Sequence, residues 1–263
     1  MRTTLSALHK MVQEGIPITQ LTCYDASFAS ILDAAGVDTI LIGDSLGNVI
    51  QGHESTLPVT LRDIVYHTAC VARGAKRAFI IGDMPFGTYQ TSPEDALRNA
   101  VKIMAAGAQM VKLEGGRAML DTVRFLTERG IPVCGHLGFT PQSVHQLGGY
   151  KVQGKAKDDA SRMIEEAKLL EEAGAGMMVL EMVPAALAKQ ITAEVRAPTI
   201  GIGAGADCHG QVLVLYDMLD VFPGKKARFV KNYLQIAGTV QGAVELYVKE
   251  VKAGTFPGPE HSF

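Results

Sequence analysis

The sequence holds few cysteines, and no two of them form a close pair. Its 263 residues include Cys23, Cys70, Cys134 and Cys208, without a C-x-x-C spacing. Such scatter is typical of reduced thiols and argues against a disulfide framework or a zinc site. We therefore expect an intracellular protein whose thiols are free.

The chain also lacks a charge excess and a long apolar run. Its 25 basic and 27 acidic residues give a formal net charge of −2, which offers no broad attraction to nucleic acid or to an anionic membrane. No apolar run reaches membrane-spanning length, and the opening MRTTLSALHKMVQEG has no apolar signal-peptide core. We expect a cytoplasmic protein with no nucleic-acid and no membrane partner.

Linker-like composition is absent too, which predicts a single domain over residues 1–263. One junction recurs instead: a helical stretch stops at glycine, and an apolar strand follows and ends in polar groups, as in LDAAGVDTILIGD (32–44). Glycine just past a helix is the usual left-handed cap. The pattern predicts helix ends at Gly36, Gly74, Gly107, Gly130 and Gly174.

The segments after these glycines are short, apolar and rich in Val, Ile and Leu, as buried parallel strands are. The predicted strands are 18–24, 39–44, 79–83, 110–114, 132–136, 177–181, 198–202 and a less regular eighth, 211–216. Seven or eight successive β-α units predict an α/β fold of the (β/α)8, or TIM barrel, type. A doubly wound sheet is the alternative, but CYDASFAS stands where its glycine fingerprint would follow the first strand.

Three local signals add detail to this pattern. Ser92 is predicted to cap a helix that has Pro93 in its first turn. The segment 139–157, FTPQSVHQLGGYKVQGKAK, is predicted to be a long loop and a candidate lid. GIGAG (201–205) resembles a phosphate-binding loop, but a tight turn after strand seven explains it equally well.

Polar residues at the strand ends are the candidate functional residues, because the active site of such a barrel lies at the carboxyl ends of its strands. They are Asp44, Asp83, Lys112, Glu114, His136 and Glu181. Lys112 and Glu114 are two residues apart, so strand alternation places both on one face.

Several carboxylates that converge on one mouth would repel each other unless a cation joins them. Mg2+ binds oxygen ligands, often one or two carboxylates together with waters and substrate oxygens. Asp44 and Asp83 are therefore predicted to be a metal pair. The alternative is that one or both cap the helix that follows.

Lys112 allows three interpretations: a Schiff-base nucleophile, an ion-pair partner of a neighbouring acid, and a cation that grips a substrate carboxylate. Nearby acids keep an amine protonated, which favours the grip over the nucleophile. His136 is interpreted as a positioned hydrogen-bonding residue rather than an acid or base.

Glu181 stands alone among Met, Val and Leu on the predicted sixth strand and is the best candidate base. A carboxylate in apolar surroundings is a more capable base. With a metal chelated by a 2-oxo acid as electron sink, these residues suggest proton abstraction next to a carbonyl. A structural pair between Glu181 and a lysine or histidine is the alternative.

At these residues the sequence resembles the ketopantoate hydroxymethyltransferase family. The matching segments span nearly the whole chain in order, and the most specific are GDSLG with VIQGHESTLPVT (43–60) and VCGHLGFTPQSV (133–144). The others are LTCYDASFA (21–29), GDMPFGTY (82–89), VKLEGG (111–116), GGYKVQGK (148–155), VLEMVP (179–184), IGIGAG (200–205) and FPGPEHSF (256–263).

The resemblance implies an activity and a set of roles. A hydroxymethyl group would pass from 5,10-methylenetetrahydrofolate to 3-methyl-2-oxobutanoate, with Mg2+ required, in the first committed step of pantothenate biosynthesis. Metal ligands would be Asp44, Asp83 and, directly or through water, Glu114; substrate contacts would be Asp44, Ser45, Asp83 and Lys112; Glu181 would remove the C3 proton. Family members form homo-oligomers, commonly decamers.

Three other functions remain as alternatives. A Mg2+-dependent carbon–carbon lyase or mutase of the phosphoenolpyruvate mutase and isocitrate lyase type would place a catalytic cysteine or serine in a loop after strand four, where VKLEGGRAML supplies none. A Schiff-base aldolase would act through Lys112. A non-catalytic barrel would need no cluster of acids at its mouth.

Overall fold

Eight parallel strands pair in chain order and close into a barrel, in which the first strand also pairs with the last. The computed structural model describes residues 2–263. The strands are β1 (Ile18–Thr22), β2 (Thr39–Ile42), β3 (Phe79–Asp83), β4 (Met110–Lys112), β5 (Val133–Gly138), β6 (Met177–Glu181), β7 (Thr199–Ile202) and β8 (Gly210–Leu213). The predicted (β/α)8 barrel is confirmed.

Helices cover the outside of the barrel, so the strands are buried on both faces and read as continuous apolar runs. The helices are α1 (Leu5–Gln13), α2 (Ala26–Ala34), α3 (Leu46–Val49), α4 (Leu61–Gly74), α5 (Pro93–Ala105), α6 (Leu120–Thr127), α7 (Val144–Leu147), α8 (Lys157–Glu172), α9 (Ala185–Glu194), α10 (Leu215–Met218), α11 (Tyr233–Ala237) and α12 (Val240–Lys252). None of the helices within residues 2–263 is both long enough and apolar enough to cross a membrane.

All eight predicted strands exist. The bounds of β3 and β6 are those predicted, β5 runs two residues further than predicted, to Gly138, and the bounds of the other five strands differ from the predicted ones by one to three residues at an end. The prediction that β4 runs to Glu114 is wrong, because the strand ends at Lys112. The backbone nevertheless stays beside β5, where the Leu113 N–H donates to the Cys134 carbonyl at 3.1 Å and the Gly115 N–H to that of His136 at 3.1 Å. Glu114 therefore remains at the carboxyl end of the barrel.

The predicted start of α5 is confirmed. The Ser92 hydroxyl accepts a hydrogen bond from the Asp95 N–H at 3.2 Å, and Pro93 occupies the first helical position. The side chain satisfies one of the amide groups that a helix start leaves unpaired.

Four of the five predicted left-handed glycine caps are confirmed at Gly36, Gly107, Gly130 and Gly174, with φ values of 90°, 119°, 81° and 103°. Gly74 is different, because it is the last residue of α4 and remains helical. A Cβ at Gly74 would lie 2.2 Å from the Ala26 carbonyl oxygen of α2. This glycine is needed for the close approach of two helices and not for a turn.

The segment 139–157 is only partly the long loop that the sequence predicts. A 3-10 turn (Pro141–Ser143) and α7 occupy its first half, and Gly148 ends α7 with a φ of 69°. Proline suits the first position of such a turn, and glycine its left-handed end. The ordered first half holds a buried glutamine, Gln142, against the mouth of the barrel.

Substitution by asparagine should distinguish the glycine required for close helix packing, Gly74, from a glycine required for a left-handed φ, Gly130. Gly74→Asn forces a side chain against the Ala26 backbone and should cost about 1–3 kcal/mol of unfolding free energy. Gly130→Asn is the matched control, because Gly130 has open space around it and asparagine tolerates a left-handed φ. Urea denaturation of both variants measures the difference; equal losses would contradict the close-packing account.

Candidate active site

The candidate residues meet in one cavity at the carboxyl ends of the strands. Asp44 and Ser45 follow β2, Asp83 ends β3, and Glu181 ends β6. All seven predicted site residues line this cavity of about 810 Å³: Asp44, Ser45, Asp83, Lys112, Glu114, His136 and Glu181. The barrel therefore brings together residues that lie up to 137 positions apart in the sequence, from Asp44 to Glu181.

Lys112 and Asp83 form a buried ion pair at the floor of the cavity. The Lys112 Nζ donates to both carboxylate oxygens of Asp83, at 2.8 and 2.7 Å, and lies 3.9 Å from Glu114 Oε1. Burial alone would lower the pKa of Lys112, but Asp83, Glu114 and Asp44 outweigh it and raise that pKa. The amine is thus a held cation, which disfavours the Schiff-base interpretation.

Asp44 lies against this pair. Its backbone N–H donates to Asp83 Oδ2 at 3.2 Å, and the residue is only 4% exposed. Burial, followed by repulsion from Asp83 and Glu114, raises the pKa of Asp44 well above its ordinary value. Burial also raises the pKa of Asp83, despite Lys112. The positive charge of Lys112 therefore does not offset the burial of Asp44 and Asp83 and the repulsion among the carboxylates.

The helix-capping alternative does not describe these residues. Ser45 is the residue before α3 and makes no capping hydrogen bond; its hydroxyl lies 2.8 Å from the Tyr24 hydroxyl instead. The helix after Asp83 is capped by Ser92. Both carboxylates face the cavity rather than a helix start.

Gln142 is a site residue that the sequence analysis missed. Its side-chain amide donates to Asp44 Oδ2 at 2.9 Å and to the Met84 carbonyl at 3.0 Å, and it accepts from the Tyr89 hydroxyl at 2.7 Å. Its backbone N–H donates to Glu114 Oε2 at 3.0 Å. The only signal in the sequence was its place in the family-matching segment VCGHLGFTPQSV.

His136 stands between two acids. Its Nδ1 lies 3.3 Å from Glu114 Oε1, and its Nε2 lies 3.3 Å from Glu181 Oε2. Burial and Lys112 lower the pKa of His136, but the two carboxylates outweigh them and raise it to about 9. Contacts to the same cationic ring lower the pKa of Glu114, against the effect of its burial. A charged imidazole in this place fits the predicted positioning role.

Glu181 is the acid that reaches the open part of the cavity. Its side chain is 16% exposed, against 2% for Glu114. The next residue, Met182, has a left-handed φ of 48°, which for a non-glycine residue stores about 1–3 kcal/mol. A Cβ at Gly138 would lie 2.2 Å from the Glu181 carbonyl oxygen. The end of the neighbouring strand β5 therefore needs glycine to pack against this part of the backbone.

The acids fit a magnesium ion that is completed by substrate and water. Within residues 2–263 no group of three or more acids, histidines or cysteines is arranged to hold a metal by itself. Asp44 and Asp83 supply two carboxylates, a number that suits Mg2+ and its retained waters but not a zinc site. Glu114 Oε1 lies near His136 Nδ1 and Lys112 Nζ but has no aligned hydrogen-bond partner among the described residues.

The cysteines do not supply a nucleophile at this mouth. Burial raises the pKa values of Cys23, Cys134 and Cys208 to about 12 each. A thiol with such a pKa is almost wholly protonated near neutral pH and reacts slowly. The carbon–carbon lyase alternative needs a cysteine or serine in the loop after β4, and residues 113–119 contain neither.

Fold and site define a class: a (β/α)8-barrel enzyme with a buried acid and lysine cluster at the carboxyl ends of its strands. Residues 2–259 match the family model of ketopantoate hydroxymethyltransferase. The chain belongs to the ketopantoate hydroxymethyltransferase family.

Close relatives match over the full length. The 3-methyl-2-oxobutanoate hydroxymethyltransferases of Nitrosospira multiformis and Chromobacterium violaceum are 63% and 61% identical to the chain, with 100% of each chain covered. Among solved structures, oxaloacetate acetylhydrolase superimposes with a TM-score of 0.63 at 15% identity, covering 94% of this chain and 93% of that one.

A second solved structure is 2,3-dimethylmalate lyase, a member of the phosphoenolpyruvate mutase and isocitrate lyase superfamily. It has a TM-score of 0.61 at 15% identity, with 84% of each chain covered. At this identity the likeness shows a shared barrel. The alternative enzyme class that the sequence analysis considered is thus related in fold, while the family match assigns the chain elsewhere.

Removing the Gln142 amide should destabilise the site. Gln142→Met keeps the volume but leaves Asp44 Oδ2 and the Met84 carbonyl without this donor, at about 1–3 kcal/mol for each buried unsatisfied group. The Tyr89 hydroxyl keeps its contact with the Glu114 carbonyl at 3.3 Å. Gln146→Met on the exposed side of α7 is the control and should change the free energy of unfolding by less than about 0.5 kcal/mol. Equal stability of both variants in urea denaturation would argue against the network.

Proposed function

We propose that the chain transfers a hydroxymethyl group from 5,10-methylenetetrahydrofolate to 3-methyl-2-oxobutanoate, giving 2-dehydropantoate and tetrahydrofolate. This is the first committed step of pantothenate biosynthesis. The name of the relatives supports the keto-acid substrate. The observation that carries the proposal is one cavity in which a held cation, Lys112, a buried acid pair and a more exposed acid, Glu181, face the same space.

The keto acid would bind at the inner end of the cavity. The Lys112 ammonium group has three donors and uses two of them on Asp83, so one remains for the substrate carboxylate. Ser45 adds a hydroxyl on the same wall. This pairing places the remainder of the keto acid toward the open side, where Glu181 lies.

Mg2+ would be held by Asp44 and Asp83, with Glu114 near it, and would supply a Lewis acid beside the keto oxygen that makes the neighbouring C–H more acidic. The chain's own part is to hold two carboxylates in fixed places. Gln142 fixes Asp44, and Lys112 fixes Asp83. Preorganised groups of this kind need no rearrangement when charge develops.

Glu181 would take the proton from C3 of the keto acid on a carboxylate oxygen. The electron pair of the broken C–H bond would form the new C–C bond to the one-carbon unit of the donor. The two C–N bonds that join this unit to the folate would break, and water would supply the hydroxyl oxygen. One proton from that water and the proton taken up by Glu181 would pass to the two folate nitrogens, so that tetrahydrofolate leaves. His136 contacts Glu181 Oε2 at 3.3 Å, so it can orient this carboxylate. The base must lie within reach of the proton that it removes, which the exposed end of β6 allows.

Glu181→Gln should lose the C3 proton exchange of 3-methyl-2-oxobutanoate by at least about 100-fold, because an amide cannot accept the proton. Binding of the keto acid, measured by calorimetry, should persist. Glu172→Gln on the exposed end of α8 is the matched control. Deuterium exchange at C3, followed by proton NMR, measures the effect; a variant that still exchanges at the wild-type rate would remove Glu181 as the base.

Chelation with EDTA should stop the same exchange, and added Mg2+ should restore it. Asp44→Asn should weaken Mg2+ binding by at least about 10-fold in calorimetry, since the amide keeps the shape but loses the charge. Asp121→Asn on α6, 91% exposed, is the control. Full exchange in EDTA would show that no metal takes part.

A stable adduct after borohydride reduction with the keto acid would instead favour Lys112 as a nucleophile.

Assembly and location also stay proposals. We expect a homo-oligomer of decameric size and a cytoplasmic location, without nucleic-acid or membrane partners. Light scattering on the purified protein checks the assembly.

A further inference from the structure

The cavity is larger than the keto acid needs. At about 30 Å³ per non-hydrogen atom, the liquid share of one water molecule, an eight-atom keto acid takes roughly 240 Å³. The cavity measures about 810 Å³. More than half of it is therefore space for something else, and the residues around that space indicate what it binds.

A second part of the cavity lining differs in chemistry from the acidic cluster. This part, which we call the outer wall, consists of Phe222, Lys225, Lys226, Arg228, Phe229 and Phe263. Lys225 and Arg228 are exposed, whereas Asp44, Asp83 and Lys112 are buried. One cavity thus has a buried acidic end and an exposed end that joins cations to aromatic rings.

The cations of the outer wall are only partly neutralised. Lys226 pairs with Asp220 at 3.3 Å and also contacts the Phe222 carbonyl. Arg228 donates only to backbone, to the carbonyls of Glu260 at 3.0 Å and Pro259 at 3.3 Å. Lys225 forms no ion pair with any residue from 2 to 263. Two positive charges therefore remain free for an anionic ligand, although Glu54 and Asp217 also line the cavity.

The aromatic part of the wall is supported by the GIGAG turn. A Cβ at Gly203 would lie 2.8 Å from the Phe229 ring and 3.0 Å from the Phe263 ring, and Gly203 has a left-handed φ of 62°. The Arg228 guanidinium lies 5.6 Å from the centre of the Phe263 ring. The glycine that the sequence analysis compared with a phosphate loop instead makes room for two phenyl rings.

We propose that the outer wall binds the folate donor, with its phenyl rings against the donor's ring system and with Lys225 and Arg228 paired to the glutamate carboxylates. This inference rests on the proposed function. The one-carbon unit must reach the keto acid at the acidic end, so the glutamate end of the donor extends to the exposed end. A ligand with a flat aromatic body and a distant anionic tail matches this order of residues.

The test compares two donors that differ only in the glutamate. Lys225→Gln should raise KM for 5,10-methylenetetrahydrofolate roughly 2- to 5-fold, as expected for an exposed charge pair, and the Lys225→Gln/Arg228→Gln double variant should raise it further. KM for 5,10-methylenetetrahydropteroate, which lacks glutamate, should stay at the wild-type value. Lys225→Arg should restore the folate KM, and Lys249→Gln, an exposed lysine on α12, is the control.

The dependence of KM on salt concentration is a second test, because salt screens exposed charge pairs. The wild-type KM for the folate donor should rise with salt, and that of the double variant should rise less. An unchanged folate KM in the double variant, or an equal loss with both donors, would overturn the inference. A wild-type protein that neither exchanges the C3 proton nor turns over any donor would overturn the proposed function with it.

Discussion

The ion pair between Lys112 and Asp83 is the interaction on which the rest of the site depends. Both side chains are at most 4% exposed, and removing one partner of such a pair usually costs about 3–5 kcal/mol because the other charge is left buried. The pair does not complete the charge balance, since Asp44 and Glu114 lie beside it; they stabilise the Lys112 cation, but the carboxylates repel one another. The raised pKa values of Asp44 and Asp83 mean that further positive charge would stabilise their ionised forms, which is the physical case for proposing a metal ion.

The barrel makes this concentration of charge possible. The register of the parallel strands sets Asp83 directly beside Lys112, so the pair is a cross-strand neighbour contact. His136 lies on β5, between β4 and β6, and therefore reaches Glu114 on one side and Glu181 on the other. Four of the charged groups stand on strands, which hold a site more tightly than loops do: Asp83, Lys112, His136 and Glu181. Asp44 and Glu114 lie two residues beyond β2 and β4.

Much of the fold and of the candidate site can be predicted from the sequence, and the features that cannot be predicted have identifiable physical reasons. Strand order and the acids at strand ends are local patterns, and glycine caps such as Gly130 need only a left-handed φ. Gly74 has the same local pattern, but its cause is the backbone of α2, 48 positions earlier at Ala26. Gln142 likewise sits in what reads as a loop, and its burial is created by contacts with Asp44 and Tyr89. Such contacts are set by tertiary approach, which no periodicity encodes.

The acidic cluster and the outer wall of the cavity stand on different kinds of structure. The acidic end stands on strands, where the position of a proton acceptor has to be held within a fraction of an ångström. Much of the outer wall lies between α10 and α11, in a segment without helix or strand from 222 to 230. Charge placed there acts on binding without adding to the crowded acids at the floor. Under the proposed function, this separation would let one cavity hold the keto acid beside Glu181 and still offer a second, differently charged surface to the folate donor.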